Sequence, residues 1–157
     1  MNKSVISTIL SLLLLASCSD KKSTAISEAT DPNEPEASVS LKGKWDIENI
    51  VFSDSDYVRP SEAVPGSKQF VVFTDSTYFF ATNCNSISGY YAIKGDTISL
   101  SDGAMTEMAC DNMETEDALR RILPSLTLID VENDSTVRLN CNNTSGYIIL
   151  RKNTVSE

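Results

Sequence analysis

The sequence predicts a mainly β protein: a small antiparallel meander β-barrel of about eight strands with one α-helix packed on it. Two observations predict the strands. Short runs of β-branched and aromatic residues recur between residues 41 and 152, and polar turn residues separate them. A third observation predicts the helix, because one segment carries its apolar residues at helical spacing.

The strands before the helix begin with "KGKWDIENIVF", whose uneven apolar spacing predicts a bulge. A long polar loop, "SDSDYVRPSEAVPGSK", follows. Next, "QFVVF" and "TYFFAT" form a predicted hairpin, and "GYYAIK" and "TISLS" flank a Gly-Asp turn. Because "FVVF" and "YFF" are apolar on both faces, we expect the helix to cover the outer face of that hairpin.

The segment "DNMETEDALRRIL" predicts the helix, and Pro124 is expected to end or kink it. Asp111 or Asn112 is the expected N-cap. Acidic residues early in the segment and arginines late in it predict i,i+4 ion pairs, namely Glu116–Arg120 and Asp117–Arg121. The apolar stripe consists of Ala118, Leu119, Ile122 and Leu123. After the helix, "TLIDV", "TVRLNC" and "GYIILR" read as the closing strands.

The N-terminus reads as a secretory signal, with Lys3 before a short apolar run from residue 5 to residue 15. "LASC" at residues 15–18 resembles a bacterial lipobox. This predicts a signal peptide over residues 1–17 and lipid attached to Cys18. The alternative is an ordinary cleaved signal with a chance cysteine. Ser19, rather than Asp, follows the cysteine, and by the usual sorting pattern of lipoproteins this predicts the bacterial outer membrane, with the periplasmic face favoured over the cell surface.

The rest of the chain divides into a tether, a domain and a tail. Cys18 and residues 19–40, which lack aromatic residues and glycine, form the expected disordered tether. As a flexible coil this tether spans roughly 25 Å. The domain is expected over residues 41–152, and residues 153–157 form the tail.

Charge and composition exclude several classes of function. The net charge is −9, and no basic face that could neutralise phosphates is visible, so we expect no nucleic-acid partner. The chain contains no histidine, the commonest general base and metal ligand. We therefore expect no cofactor, no metal site and no enzymatic activity. The acids of "DVEND" resemble part of a calcium loop, but the required glycine is absent and a turn is the better interpretation.

The motifs between residues 41 and 152 resemble the META (HslJ-like) domain family. That family has a Gly-x-Trp strand, a Cys-Asn followed by Gly and Tyr, and a Thr-x-Met-Ala-Cys run. The matching residues here are Gly43, Trp45, Cys84, Asn85, Gly89, Tyr91, Thr106, Met108, Ala109 and Cys110. Asn83 stands where the family usually has glycine, and Cys141 has no counterpart in the motif.

The resemblance implies a small β-barrel with one helix and no established class activity. Family members are linked to envelope stress, motility, virulence and novobiocin resistance, and the fold is similar to that of pilotins, lipoproteins that assist secretin assembly. The resemblance also bears on Cys84, which we weigh as a nucleophile, a zinc ligand or half of a disulfide. Without histidine the first two have little support, and a Cys84–Cys110 disulfide is favoured over free buried thiols. The asparagines around Cys84 are then expected to bond their own turn.

The expected function is that of a non-catalytic envelope lipoprotein that binds a partner protein or supports the envelope under stress. Its partners are membrane lipid, through acylated Cys18, and an unidentified envelope protein. The alternative is a lipocalin- or pilotin-like module that binds a small hydrophobic ligand or a secretion-system protein. An enzyme that uses carboxylates is a third interpretation, but no close acidic pair stands out.

Overall fold

The computed structural model describes residues 39–154. The signal peptide, Cys18 and the tether up to residue 38 lie outside the described residues, as do residues 155–157. The helix is α1 (Glu114–Ile122), and a 3-10 turn, Leu123–Ser125, follows it. The strands are β1 (Gly43–Ser53), β2 (Asp56–Val58), β3 (Phe70–Phe73), β4 (Thr77–Ala81), β5 (Ser86–Lys94), β6 (Thr97–Leu100), β7 (Ala104–Met105), β8 (Leu126–Asn133), β9 (Thr136–Cys141) and β10 (Tyr147–Lys152).

Eight of these strands form a closed antiparallel barrel in the order β1-β3-β4-β5-β6-β8-β9-β10, with β10 pairing back onto β1. The predicted barrel of about eight strands with one helix is confirmed. Two short strands were not predicted. β2 pairs with β1 inside the segment expected to be a polar loop, and β7 pairs with β5 just beyond the end of β6.

The alternation along β1 places its large side chains in the core. Trp45, Ile47 and Ile50 are all buried. The pairing of β1 with β10 shifts register between Ile47 and Asn49, which is the bulge that the uneven spacing predicts. The extra residue lets both halves of the strand direct apolar side chains inward.

The β3–β4 hairpin is confirmed, with Phe73 opposite Tyr78 and Val71 opposite Phe80. All four of these side chains point into the barrel and are buried. On the other face, Phe79 is 42% exposed. The expectation that the helix covers the outer face of this hairpin is therefore wrong.

The helix instead closes one end of the barrel. Its stripe of Ala118, Leu119, Ile122 and Leu123 is buried, as predicted, and belongs to the same core cluster as the inward side chains of the strands. Its polar contacts all reach one end of the barrel: Arg121 pairs with Asp56 at the start of β2, and Glu116 contacts the turn between β4 and β5. The apolar face of the helix covers the core at this end, where the strands leave it open.

The polar interactions predicted within the helix differ from those observed. The N-cap is Met113, which provides no side-chain cap, while Asn112 Oδ1 accepts a hydrogen bond from the Glu114 N–H at 3.0 Å. The predicted pairs Glu116–Arg120 and Asp117–Arg121 are wrong. Glu116 turns into the protein, and Arg121 reaches across to Asp56, because partners from other elements are better placed than those one turn away.

At the opposite end of the barrel, the residues that precede β1 close the core. Leu41 is 1% exposed, and its carbonyl accepts a hydrogen bond from Trp45 Nε1 at 2.7 Å. Val39 packs partly buried against the core. Residues 39 and 40, which precede the expected start of the domain at residue 41, thus lie against the barrel. At its C-terminal side Asn153 continues the pairing, because its N–H donates to the Lys44 carbonyl at 2.9 Å.

Candidate functional site

Three segments, two of which carry sequence motifs, meet at the helix end of the barrel. They are the β4–β5 turn (82–85), the segment after β7 (106–113) and the first turn of α1. A disulfide joins Cys84 to Cys110, with 6.2 Å between their Cα atoms, as the resemblance implies. Cys141 is a buried free cysteine on β9. The disulfide ties the β4–β5 turn to the segment that leads into the helix.

Glu116 is the polar centre of this cluster and is 1% exposed. Its Oε1 accepts hydrogen bonds from the backbone N–H groups of Cys84 and Asn85, each at 3.3 Å, and from the Thr82 hydroxyl. A buried carboxylate is costly unless donors surround it, and here the turn supplies them. The first turn of the helix adds the favourable end of its dipole.

Asn85, which is 3% exposed, holds the segment after β7 in place. Its Oδ1 accepts hydrogen bonds from the Met108 N–H at 2.8 Å and the Thr106 hydroxyl at 2.9 Å, and its Nδ2 donates to the Met108 carbonyl at 3.0 Å. The side chain thus pairs with Met108 much as a strand neighbour would. Thr106 also accepts the Ser86 N–H at 3.0 Å.

Asn83 reaches in the other direction, to the long loop before β3. Its Nδ2 donates to the Ser61 carbonyl at 2.8 Å, and its Oδ1 lies 3.4 Å from the Ala63 N–H. The expectation that these asparagines bond their own turn is wrong, since both hold other segments. Thr82 closes the turn instead, because its hydroxyl accepts the Asn85 N–H at 3.0 Å.

Gly89 has a packing role rather than a chemical one. A Cβ atom added there would lie 2.6 Å from the hydroxyl oxygen of Tyr78, and one added at Gly103 would meet the same atom at 2.6 Å. Tyr78 lies between these two glycines and donates to the Ser101 carbonyl at 3.1 Å. Burial, and more weakly the nearby Asp102, raise the pKa of Tyr78.

The other motif residues lie apart from this cluster. Gly43 and Trp45 belong to β1, where Gly43 adopts a φ of 118° that glycine tolerates best. Tyr91 packs edge-on against Phe73, and its hydroxyl donates to the Thr74 carbonyl at 2.6 Å. Burial raises the pKa of Tyr91 as well. The motif therefore marks both ends of the barrel and not one reactive centre.

The solvent side of the cluster presents Met108, which is 58% exposed, together with Ala109 and Cys110. The disulfide leaves neither Cys84 nor Cys110 as a thiol. Within residues 39–154, no three His, Cys, Asp or Glu side chains converge as a metal-binding group. No helix in that range is long and apolar enough to cross a membrane.

A cleft of about 470 Å³ adjoins the cluster, between the β6–β7 edge and the end of the helix. Its floor is apolar, with Ile87, Leu100 and Leu123, and its rim carries Asp102, Glu107 and Arg120. Arg120 Nε, on the helix wall of the cleft, lies 2.9 Å from the sulfur of Met105 on the β7 wall. The volume falls within the range of protein sites that bind small ligands or peptide side chains.

Sequence reasoning missed Glu116, Thr82 and the β6–β7 cleft. Helical spacing places Arg120 one turn after Glu116, so the sequence predicts that the two pair on the exposed surface of the helix. Thr82, three residues before Asn85, was the available signal, because Ser and Thr hydroxyls often accept backbone N–H groups in turns. Nothing in the sequence between residues 100 and 105 indicates an open edge.

The geometry defines a class of protein: a small closed β-barrel whose end is sealed by one helix and held by a disulfide. The META domain model matches residues 39–154, most of the chain, so the protein belongs to the META domain family. No curated protein matches the chain.

Solved structures share this fold. An NMR structure of a protein from Burkholderia xenovorans is similar at a TM-score of 0.58 and 19% identity, covering 71% of this chain and 81% of that one. A crystal structure of a DUF4847 family protein from Bacteroides vulgatus is similar at a TM-score of 0.50 and 12% identity, covering 73% of this chain and 95% of that one. At these identities the likeness concerns the fold alone.

Proposed function

We propose that the protein is a lipid-anchored envelope protein whose META domain is a non-catalytic binding module. The observation that carries the proposal is "LASC" at residues 15–18, directly after the apolar run. Several acyl chains on Cys18 would hold the protein firmly, because each buried CH₂ contributes about 0.8 kcal/mol. The tether then lets the domain stand away from the bilayer and meet a partner.

A binding role is supported by how the conspicuous side chains are used. Cys84 and Cys110 are joined, Glu116 is surrounded by backbone donors, and Asn85 is occupied by Met108 and Thr106. These groups hold loops in place and leave the surface to recognise a partner. The lipocalin-like alternative, with a ligand inside the barrel, has less support, because aromatic side chains such as Phe73 and Phe80 occupy the interior.

The test of the anchor is replacement of Cys18 by Ser, followed by fractionation of the cells. We expect the wild-type chain in the outer-membrane fraction and the Cys18→Ser chain either soluble in the periplasm or unprocessed. Cys141→Ser, which also removes a thiol, is the control and is expected to fractionate like the wild type. A Cys18→Ser chain that is processed normally and still found in membranes contradicts the anchor.

Sorting to the outer membrane has its own test. Ser19→Asp changes the residue that lipoprotein sorting reads and leaves Cys18 in place. We expect this variant to shift to the inner membrane, and Ser19→Thr to remain in the outer membrane. An unchanged location of the Ser19→Asp chain contradicts outer-membrane delivery by this route, while leaving the lipid anchor intact.

A further inference from the structure

Two residues on the β6–β7 edge direct their backbone hydrogen-bonding groups away from β5. Along an antiparallel strand, successive residues direct N–H and C=O to opposite edges. Ser101 donates to the Tyr90 carbonyl at 2.9 Å, and Thr106 donates to the Ser86 carbonyl at 3.1 Å, so both of these residues face β5. Leu100 and Met105, each one position earlier, therefore face the other way.

Beyond Thr97, no described strand pairs with that edge. β8 is the next strand of the barrel, but its pairing with β6 consists of a single residue pair, Thr97 with Leu128. Beyond that pair the 3-10 turn, with Leu123 and Pro124, takes the place where a strand would continue, and the cleft separates it from the edge. Leu100 and Met105 both line this cleft. An unpaired strand edge is a template for another strand.

The cleft also supplies contacts for side chains of such a strand. Ile87 and Leu123 line it with apolar surface, while Asp102 and Glu107 stand on the same wall as the open edge. Among the described residues that line the cleft, the one cation is Arg120, which belongs to the helix wall and contacts Met105. Charge complementarity along the strand wall therefore favours an occupant with basic side chains.

We infer that the β6–β7 edge binds an extended peptide segment with alternating basic and apolar residues, which adds to the barrel as an extra strand. The backbone of the segment bonds Leu100 and Met105, its apolar side chains fill the cleft, and its basic side chains meet Asp102 and Glu107. Leu100 lies opposite Tyr91 and Met105 lies opposite Ile87 on β5, so the edge between them spans about 13 Å, which accommodates about five residues. This inference names the partner chemistry of the proposed binding module, but it does not depend on the lipid anchor.

The test uses the full chain carrying Cys18→Ser, in detergent, with two capped hexapeptides as probes. One alternates Lys and Val, and the other alternates Glu and Val. We expect the basic peptide to bind and to slow hydrogen exchange at the amides of Leu100 and Met105 by about tenfold or more. The acidic peptide is expected to bind at least about fivefold more weakly.

Variants separate this site from general charge attraction. Asp102→Asn together with Glu107→Gln is expected to weaken the basic peptide about fivefold, since each exposed pair contributes modestly. The control, Asp130→Asn with Asp134→Asn, makes the same charge change on the exposed β8–β9 hairpin and is expected to leave binding unchanged. Leu100→Pro removes one outward N–H that β5 does not use, and it is expected to weaken binding as well.

Three results would contradict peptide binding at the β6–β7 edge. Equal binding of the two peptides, equal effects of the two charge variants, or protection confined to amides elsewhere would each overturn the inference. Since every protein in this test lacks the lipidated cysteine, a negative result leaves the lipid anchor untouched. Conversely, a failure of the fractionation test leaves the peptide result standing.

Discussion

Glu116 is an ionisable side chain almost wholly withdrawn from water, and the backbone of a turn more than thirty residues earlier in the chain supplies its donors. At the scale of residues, the sequence predicted the cysteine pairing but not the hydrogen-bond partners of Glu116. The Cys-Asn and Met-Ala-Cys motifs predicted the disulfide. The helical spacing of Glu116 and Arg120 predicted a surface ion pair, because local spacing cannot reveal the donors that the β4–β5 turn brings to the helix.

Replacement of Glu116 by Ala is expected to lower the free energy of unfolding by about 2 to 4 kcal/mol, because the N–H groups of Cys84 and Asn85 lose a buried acceptor. Glu116→Gln keeps an acceptor oxygen and is expected to cost less. The control is Glu114→Ala on the exposed side of the same helix turn, expected within about 0.5 kcal/mol of wild type. Chemical denaturation measures all three. A Glu116→Ala value equal to the control would show that the carboxylate does not hold the turn.

The Cys84–Cys110 disulfide is expected to contribute about 3 kcal/mol, because it closes a loop with a sequence separation of 26. Non-reducing peptide mapping is expected to find Cys84 and Cys110 on one linked species and Cys141 as a free thiol. Removal of both linked cysteines by Cys84→Ala and Cys110→Ala is expected to lower stability by a similar amount. Recovery of a link to Cys141 would contradict the pairing.

At the scale of elements, the sequence predicted the long, regular parts and missed the short ones. The hairpins and the helix follow from periodicity and turn residues, which local forces determine. β2 escaped prediction because Asp56 and Tyr57 look like loop residues, and only pairing with β1 makes them a strand. The position of the helix was also not predicted. The apolar outward face around Phe79 led us to expect the helix there, but Phe79 is 42% exposed.

Leu119, at 0% exposed, is the most direct probe of the helix as a seal. Leu119→Asp is expected to lower the free energy of unfolding by several kcal/mol, because an unpaired carboxylate would enter the core at the barrel end. Val131→Asp, on β8 at a side chain that is 49% exposed, is the matched control and is expected to cost less than about 1 kcal/mol. Equal costs in the two variants would show that the helix face is not part of the core.

At the scale of the whole molecule, the pH dependence of stability reports the burial of Tyr78 and Tyr91. Burial raises the pKa of Tyr78 and of Tyr91 above 10.0. A raised pKa means that these residues contribute stability below the pKa of the unfolded chain, and that this contribution is lost as pH rises through their folded values. We therefore expect the melting temperature to fall from about pH 9 to about pH 11.

The control for this pH dependence is the variant that carries Tyr78→Phe and Tyr91→Phe, with no phenol at either site. Its melting temperature is expected to fall less over the same range, because the two buried phenols are absent. Identical slopes for the wild type and this variant would show that neither tyrosine is coupled to folding in this way.

The interior of the barrel is filled by its own side chains. Phe73, Phe80 and Leu139 are almost completely buried, Leu119 seals one end, and Leu41 seals the other. Aromatic side chains supply part of this filling. In the function that we propose, the protein is anchored by lipid on Cys18 and binds its partners on the outside of the barrel.

Native mass spectrometry of the full-length protein, extracted in detergent from its own membranes, tests this claim most directly. We expect one species whose polypeptide begins at Cys18, with acyl chains bound covalently to that residue and no stoichiometric small molecule retained on activation. A polypeptide that begins elsewhere or carries no acyl chain would contradict the anchor. A stoichiometric lipid or small molecule that is released without breaking a covalent bond would contradict the filled barrel and favour a ligand-binding module.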